Sequence, residues 1–438
     1  MKKVALHTLG CKLNFSETSS IGRQFINNGF EIVDFNKQAD VYVINTCTVT
    51  ENAERDCRQV VRRALRTNPE AYVLVTGCYA QLRPDEIANI EGVDIVLGSR
   101  EKFDVFAFID QFEKKDLACI FVSPTEDLST EFGFASSGEG DNRTRAYFKI
   151  QDGCDYKCTF CTIPLARGGS RSMDPEKAVD KLSELLDSGY KEIILTGVNV
   201  GDYGKKVDSS FYKLLLKLTD VPGNFRLRIS SIEPNLLTDP ILELTAGSEK
   251  MAKHFHIPLQ SGSPTILRLM QRRYNTAYYE KLIHRATKMI PNLGIGVDVI
   301  TGFPGEGEKE FTETHHFLLG LPVSYFHVFT YSERPRTKAI NMPGIVDVTE
   351  RKRRTNVLRI VSQKKKNEFF SKMIGKEVDV LFEQTNHGGS MKGFSSEYIK
   401  ISHPHDSTLT NKFTKFKILS HDGEQCLGEV VEKELVTA

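Results

Sequence analysis

Along the first third of the chain the hydrophobic period switches repeatedly. Val4–Leu9, Asp40–Asn45, Tyr72–Thr76 and Asp94–Leu97 are apolar runs of strand length, while Ser16–Asn28 and Ala53–Thr67 space their apolar residues as helices do. This alternation predicts an α/β region, a doubly wound parallel sheet, over residues 1–127. The next stretch, 128–144, is rich in Ser, Gly and Asn with almost no period, and is expected to be a linker.

Six further strand candidates begin near Tyr147, Glu192, Phe225, Phe255, Gly294 and Tyr325, with helical segments such as Pro175–Asp187 and Thr276–Met289 between them. Six β/α units predict an open, partial (β/α)6 barrel within 145–370, with its chemistry at the carboxyl ends of the strands. From 371 to 438, short alternating stretches at Ile374–Glu383, Tyr398–His403 and Leu427–Lys433 are separated by HGGS and HDGE turns. They predict a small antiparallel β-barrel.

Charge adds one local feature. The chain has 58 basic and 57 acidic residues, so its net charge of +1 predicts no general polyanion binder. Arg351–Lys366, RKRRTNVLRIVSQKKK, nevertheless carries eight basic residues and no acidic one. It reads either as a solvated helix or as a phosphate-binding segment. The opening MKKVALHTLGC has too short an apolar run for an export signal, and no window approaches the ~18 apolar residues of a membrane span. No membrane association is expected, and the protein should be cytoplasmic, where clustered cysteines bind metals or react more often than they form disulfides. Nothing in the sequence specifies an oligomeric state.

Cys154, Cys158 and Cys161 in QDGCDYKCTFC have the spacing C-x3-C-x2-C with no fourth cysteine nearby. A structural zinc site takes four protein ligands, so a zinc knuckle here needs a distant fourth. Three thiolates around a four-iron cluster instead leave one iron open, the arrangement of a site that binds substrate or cofactor. Cys11, Cys47 and Cys78 are far apart, yet each closes a predicted strand: HTLGC, VINTC and LVTGC. Each alone is an ordinary small core residue; three at parallel strand ends emerge on one side and form a second three-cysteine site. Cys57, Cys119 and Cys426 read as structural.

QDGCDYKCTFC, with Phe160 before its last cysteine, resembles the signature of radical S-adenosylmethionine enzymes. Together with GCKLNFSE, INTCTVT and VTGCYAQ it resembles their methylthiotransferase family over nearly the whole chain, and the tail resembles the TRAM domain, a small RNA-binding barrel. GCKLNFSE and LTGVNVGDYG look most like the branch acting on threonylcarbamoyladenosine at position 37 of tRNA, in the anticodon loop. The isopentenyladenosine and ribosomal-protein aspartate branches remain alternatives, as does, from another class, a non-catalytic iron–sulfur RNA-binding or electron-transfer protein.

The resemblance implies two 4Fe-4S clusters. The one on Cys154, Cys158 and Cys161 would bind S-adenosylmethionine at its open iron and cleave it to a deoxyadenosyl radical. The auxiliary one on Cys11, Cys47 and Cys78 would carry the sulfur to be methylated and transferred. It also implies tRNA as partner and an electron donor such as flavodoxin or ferredoxin. Candidate cofactor contacts are Phe160 of the signature, Thr196 and Gly197, Glu233, and Gln260 with Ser261; the Thr196–Gly197 turn reads equally as an ordinary β-to-α turn, and Glu233, Gln260 and Ser261 read also as solvated loop residues. Arg272 and Arg273 are candidates for substrate phosphate or carboxylate, or else a solvated helix end. Trp is absent, so base stacking would use Phe394 or Tyr398.

Overall fold

The computed structural model describes residues 1–48, 52–129, 132–136 and 144–432. Much of the predicted linker, the Val49–Thr50 end of INTCTVT and residue 433 of the last predicted strand lie outside them. Six strands form the first sheet: β1 (Lys3–Thr8), β2 (Glu31–Val33), β3 (Val41–Thr46), β4 (Tyr72–Gly77), β5 (Ile95–Leu97) and β6 (Cys119–Phe121). Their order is β2-β1-β3-β4-β5-β6, and every pairing is parallel. The edge strands β2 and β6 are too short to leave a period in the sequence. At the centre, β3 and β4 are buried at every position, which is why their sequences are unbroken apolar runs. Alternate residues feed two cores. Val41, Val43 and Leu74 pack with Ile21 and Phe25 of the Lys12–Asn27 helix, whereas Tyr42, Ile44 and Val75 pack with Val60 and Val61 of the Asn52–Thr67 helix.

The second region starts with β7 (Arg145–Lys149) and a two-residue ribbon, β8 (Gln151–Asp152) against β9 (Arg171–Ser172). β10 (Glu192–Thr196), β11 (Arg226–Ile229), β12 (His254–His256), β13 (Gly294–Thr301) and β14 (Tyr325–Thr330) follow. Parallel sheets β11-β10-β7 and β12-β13-β14 meet where Leu227 bridges to Met251, giving the open six-stranded barrel. The Lys12–Asn27 helix lies along β7, the free edge, with Phe15 5.6 Å from Tyr147 ring to ring. Described residues of the 128–144 stretch are tied to this helix, Arg23 donating to the Ser136 carbonyl at 3.0 Å.

The basic stretch lies in a 26-residue helix, Val348–Met373, packed on β14. Here the phosphate-binding expectation is corrected for several cations. Arg354 is buried against Glu306 at 3.0 Å, Arg353 pairs with Glu350, and the Lys365 ammonium donates to the carbonyls of Leu319 and Leu321. Their partners come mostly from other segments, so the stretch looked unpaired in sequence.

β15 (Glu377–His387), β16 (Ser390–Ser395), β17 (Lys400–Pro404), β18 (Phe413–His421) and β19 (Cys426–Glu432) close into a barrel in the order β15-β16-β17-β19-β18. Four of its five pairings are antiparallel, but β17 and β19 run parallel, a departure from the wholly antiparallel expectation. This barrel plugs the amino-terminal mouth of the larger one. Arg226 donates to the carbonyls of Asp379 and Phe394, Arg228 to those of Ser395 and Ser396, and Glu192 neutralises both guanidiniums from beneath. Phe394 lies 4.2 Å from the Arg145 guanidinium and Tyr398 lies 5.0 Å from that of Arg228. The two aromatics expected to stack on bases therefore help to join the barrels.

Candidate active site

The loop carrying Cys154, Cys158 and Cys161 is pinched at its base by the β8–β9 ribbon. Gly153 has φ +70°, and a Cβ there would stand 2.1 Å from the Gly169 carbonyl, so only glycine allows the two loop ends to close. The Cys154 N–H then bonds the Gly168 carbonyl at 3.1 Å, and the Cys161 N–H bonds that of Cys158 at 3.2 Å. Gln151 ties this loop to the end of β10. Its amide nitrogen donates to the Gly153 carbonyl at 2.8 Å, and its oxygen accepts the Asn199 N–H at 2.9 Å. Burial pushes Cys154 and Cys161 up to about 12. Cys161 lies close enough for the charges of both Cys158 and Cys154 to act on it. Arg272 donates to Cys158 Sγ at 3.1 Å, and a cationic donor on sulfur favours the thiolate that binds metal.

The second set is assembled by the sheet. Because β1, β3 and β4 are adjacent and parallel, the residues after them, Cys11, Cys47 and Cys78, emerge together. Two glycines let the strand ends approach. A Cβ on Gly10 would lie 2.5 Å from Cys47 Cβ, and one on Gly77 would lie 2.3 Å from the Thr46 carbonyl. Asn14 donates to the carbonyls of Leu9 and Thr46, both at 2.9 Å, and so fixes these two ends.

Arg167, in the short Ile163–Arg167 helix after the first cysteine loop, crosses to this second set. Its Nε donates to Cys78 Sγ at 3.2 Å and one Nη to Asn14 Oδ1 at 2.8 Å. Its charge is met by Glu17 at 2.8 Å and Asp152 at 3.1 Å. Lys102 and Lys149 also pair with Glu17, at 2.7 and 3.2 Å, while Lys149 and Arg171 pair with Asp152, at 2.7 and 2.8 Å. All six side chains are buried. Burial alone would raise Glu17; Arg167, Lys102 and Lys149 override it and hold the carboxyl far below the usual range. Four basic side chains meet two carboxylates here, beside three thiols, and burial with the neighbouring Lys102 and Arg167 works against the charge of Lys149. A dry cationic excess is costly unless an anion completes it, and three thiolates on an iron–sulfur cluster are such an anion.

Among the described residues no three Cys, His, Asp or Glu side chains are arranged to hold a single metal ion. A four-iron cluster is a larger body, held by thiolates that stand farther apart. Each donor set offers three cysteines with an arginine on one sulfur, the donor chemistry that such a cluster takes.

The remaining candidates divide. Thr196 ends β10, and among the described residues its buried hydroxyl has no hydrogen-bond partner; neither do the buried amide oxygen and nitrogen of Asn199. A polar ligand above this turn would complete all three. A Cβ on Gly197 would come 2.8 Å from Gln151 Oε1, so glycine is required for the clamp itself. Gln260 has φ +70° and holds β13 through its backbone, accepting from the Ile300 N–H and donating to the Asp298 carbonyl. Ser261 is buried, its hydroxyl bonded to Thr314 and the Ser263 N–H. Phe160 packs edge-on to Phe303. Arg272 corrects its expected substrate role. It is buried between Cys158, Tyr274 and Glu233, which takes its charge, so that neither Arg272 nor Glu233 stands free. Arg273 is exposed over the Tyr156 ring at 3.8 Å. Sequence reasoning missed Arg167, Glu17, Lys149 and Asn199, because charged and amide residues carry no mark of burial in a single sequence.

Residues 3–98 match a family described as uncharacterized protein family UPF0004, and residues 148–318 match the radical SAM superfamily. The threonylcarbamoyladenosine tRNA methylthiotransferase MtaB of Bacillus subtilis is 41% identical over 430 residues, 96% of this chain and 94% of that protein. The chain belongs to the radical S-adenosylmethionine methylthiotransferases. As a member of this enzyme family it uses S-adenosylmethionine and 4Fe-4S clusters. The MtaB of Aquifex aeolicus is 40% identical over 88% of this chain and 93% of its own. A tRNA-2-methylthio-N(6)-dimethylallyladenosine synthase of Thermoanaerobacter is 32% identical, covering 98% and 92%. Among solved structures, the radical S-adenosylmethionine methyltransferase TsrM of Kitasatospora setae superposes with a TM-score of 0.55 at 14% identity, over 88% of this methylthiotransferase and 79% of TsrM. That likeness is one of fold.

Proposed function

We propose that the enzyme adds a methylthio group to carbon 2 of N6-threonylcarbamoyladenosine at position 37, in the anticodon loop of tRNA. The observation that supports this reading is the buried Arg167 network, which reaches Cys78 of the strand-end set from the segment just after the loop that carries Cys154, Cys158 and Cys161. The greater identity to MtaB enzymes than to the dimethylallyladenosine synthase favours the threonylcarbamoyl substrate.

When bound, the clusters supply the electron that cleaves S-adenosylmethionine and the sulfur that is transferred. Cys154, Cys158 and Cys161 would hold the first, and Cys11, Cys47 and Cys78 the second. Thr196 and Asn199 offer polar atoms for the cofactor's polar groups, Gln151 keeps that turn against the cysteine loop, and Phe160, Glu233 and Gln260 would add further cofactor contacts. Arg272 and Arg167 hold one thiolate of each set in place. Residues 1–127 thus carry the auxiliary site, 145–370 the cofactor site, and 371–438 an RNA-binding barrel. Arg273 and the exposed cations of the Val348–Met373 helix are candidates for tRNA phosphate. A cytoplasmic flavodoxin or ferredoxin would supply electrons.

Mass spectrometry of tRNA nucleosides from a strain lacking the protein tests the reading. The methylthio derivative of threonylcarbamoyladenosine should vanish and the unthiolated nucleoside accumulate; an unchanged profile refutes it.

A further inference from the structure

The open barrel holds a further group of polar side chains that neither cysteine site uses. On β12, β13 and β14, Phe255, Val297, Val299, Phe326 and Val328 are buried in the core under the outer helices. The alternate positions, His254, His256, Asp298, Tyr325 and His327, therefore face the interior. His256 Nε2 stands 2.9 Å from Asp298 Oδ1, and the rings of His256 and His327 are 5.5 Å apart. His327 is exposed and Phe329 above it is 41% exposed, so this wall borders open space.

Lys12, the residue after Cys11, approaches the same wall from the facing helix. Its ammonium lies 5.5 Å from the centre of the Tyr398 ring, and close enough for its charge to act on His254 and His327. Deeper in the interior, Arg145, Arg226 and Arg228 are matched by Glu383 and Glu192. Among the described residues no carboxylate pairs with Lys12. Burial, and next the neighbouring His256, hold His327 below its ordinary value. It therefore meets an anion as a neutral N–H donor, and Lys12 supplies the charge.

We infer that Lys12 and His327, with the Asp298-oriented His256 behind them, bind the carboxylate of the substrate's threonylcarbamoyl group. The inference rests on the substrate proposed above and takes over the role expected of Arg272, which is occupied at Cys158. An ammonium and an N–H donor converging on open space suit one carboxylate. The same wall discriminates against an isopentenyl chain, which would desolvate the ammonium and give it no partner.

The test uses full-length, cluster-loaded protein and anticodon stem-loops of one sequence. These carry threonylcarbamoyladenosine, its methyl ester or plain adenosine at position 37. Wild-type protein should bind the acid more tightly than the ester. Lys12→Gln and His327→Leu should each weaken acid binding roughly ten- to a hundredfold and narrow the acid–ester gap, whereas Lys12→Arg should keep most of it. Iron content equal to wild type keeps misfolding out of the comparison, and either variant alone suffices. Variants that preserve the wild-type gap overturn the assignment and leave the substrate reading standing. Wild-type protein that binds all three stem-loops alike overturns both.

Discussion

Cys154, Cys158 and Cys161 sit on one loop, whereas Cys11, Cys47 and Cys78 come from the ends of three strands, yet the two sites share a plan. Each places one arginine on one sulfur, Arg272 on Cys158 at 3.1 Å and Arg167 on Cys78 at 3.2 Å, and neutralises it with a glutamate, Glu233 or Glu17. They differ in where the support comes from. The arginine and glutamate of the loop site both come from the barrel. The strand-end site needs the sheet to align its cysteines and the barrel to deliver Arg167. Its integrity is thus a property of the joined regions, and it should fail first when the junction is loosened.

The strongest break in the comparison is at Glu17. Glu17→Gln leaves Lys149 and Arg167 with Asp152 alone and, among the described residues, Lys102 with no paired carboxylate, and breaking such a buried set costs about 3–5 kcal/mol. Denaturant unfolding should show this loss, and iron analysis should show the strand-end site emptied before the loop site. Acid should imitate the substitution. Glu17 is depressed in the folded protein, so its contribution is complete above the ordinary value near 4.5 and is lost as the pH falls below it. The acid limb of stability should be steeper in wild type than in Glu17→Gln.

A gentler exchange sharpens the same contrast. Arg167→Lys and Arg272→Lys keep the charge but lose the fixed fork that reaches sulfur and carboxylate together. Hydrogen bonds to sulfur help to set cluster potentials. Each variant should therefore lower the potential of its own cluster and leave the other in place, as followed by redox titration with electron paramagnetic resonance. A shift of both clusters in either variant would mean that the sites are not separate.

The smallest effect is expected on the Val348–Met373 helix. Replacing the exposed Lys352, Arg359 and Lys364 with Gln should reduce the slope of log tRNA affinity against log salt by up to about 2, at ~0.7 per phosphate contact. Arg354→Gln and Lys365→Gln, whose cations are committed inside the protein, should lower stability instead of the slope.

The contrast between the sites also explains what was legible in sequence. The loop site could be read from spacing alone, because a chain segment of that length keeps its cysteines together in any fold. The strand-end site was readable only because β1, β3 and β4 carry clear apolar runs that predict their parallel neighbours. β2 and β6 were too short to see, and the parallel pairing of β17 with β19 has no local signature. The basic stretch misled because Glu306, Leu319 and Leu321, the partners of Arg354 and Lys365, lie outside it in sequence. Arg272 looked like a solvent-facing cation for the same reason, and nothing in LARGG marked Arg167 as the residue that reaches from the cysteine loop to Cys78.

The most direct test of separate sites replaces Cys11, Cys47 and Cys78 together by Ala in anaerobically reconstituted protein. Iron per chain should fall from about eight to about four, as for the loss of one of two four-iron clusters. Reduced protein should still release 5′-deoxyadenosine from S-adenosylmethionine while methylthio transfer to tRNA stops. Methylthiolated tRNA from the triple variant, or loss of deoxyadenosine formation while four irons remain, would contradict the assignment of two sites with separate tasks.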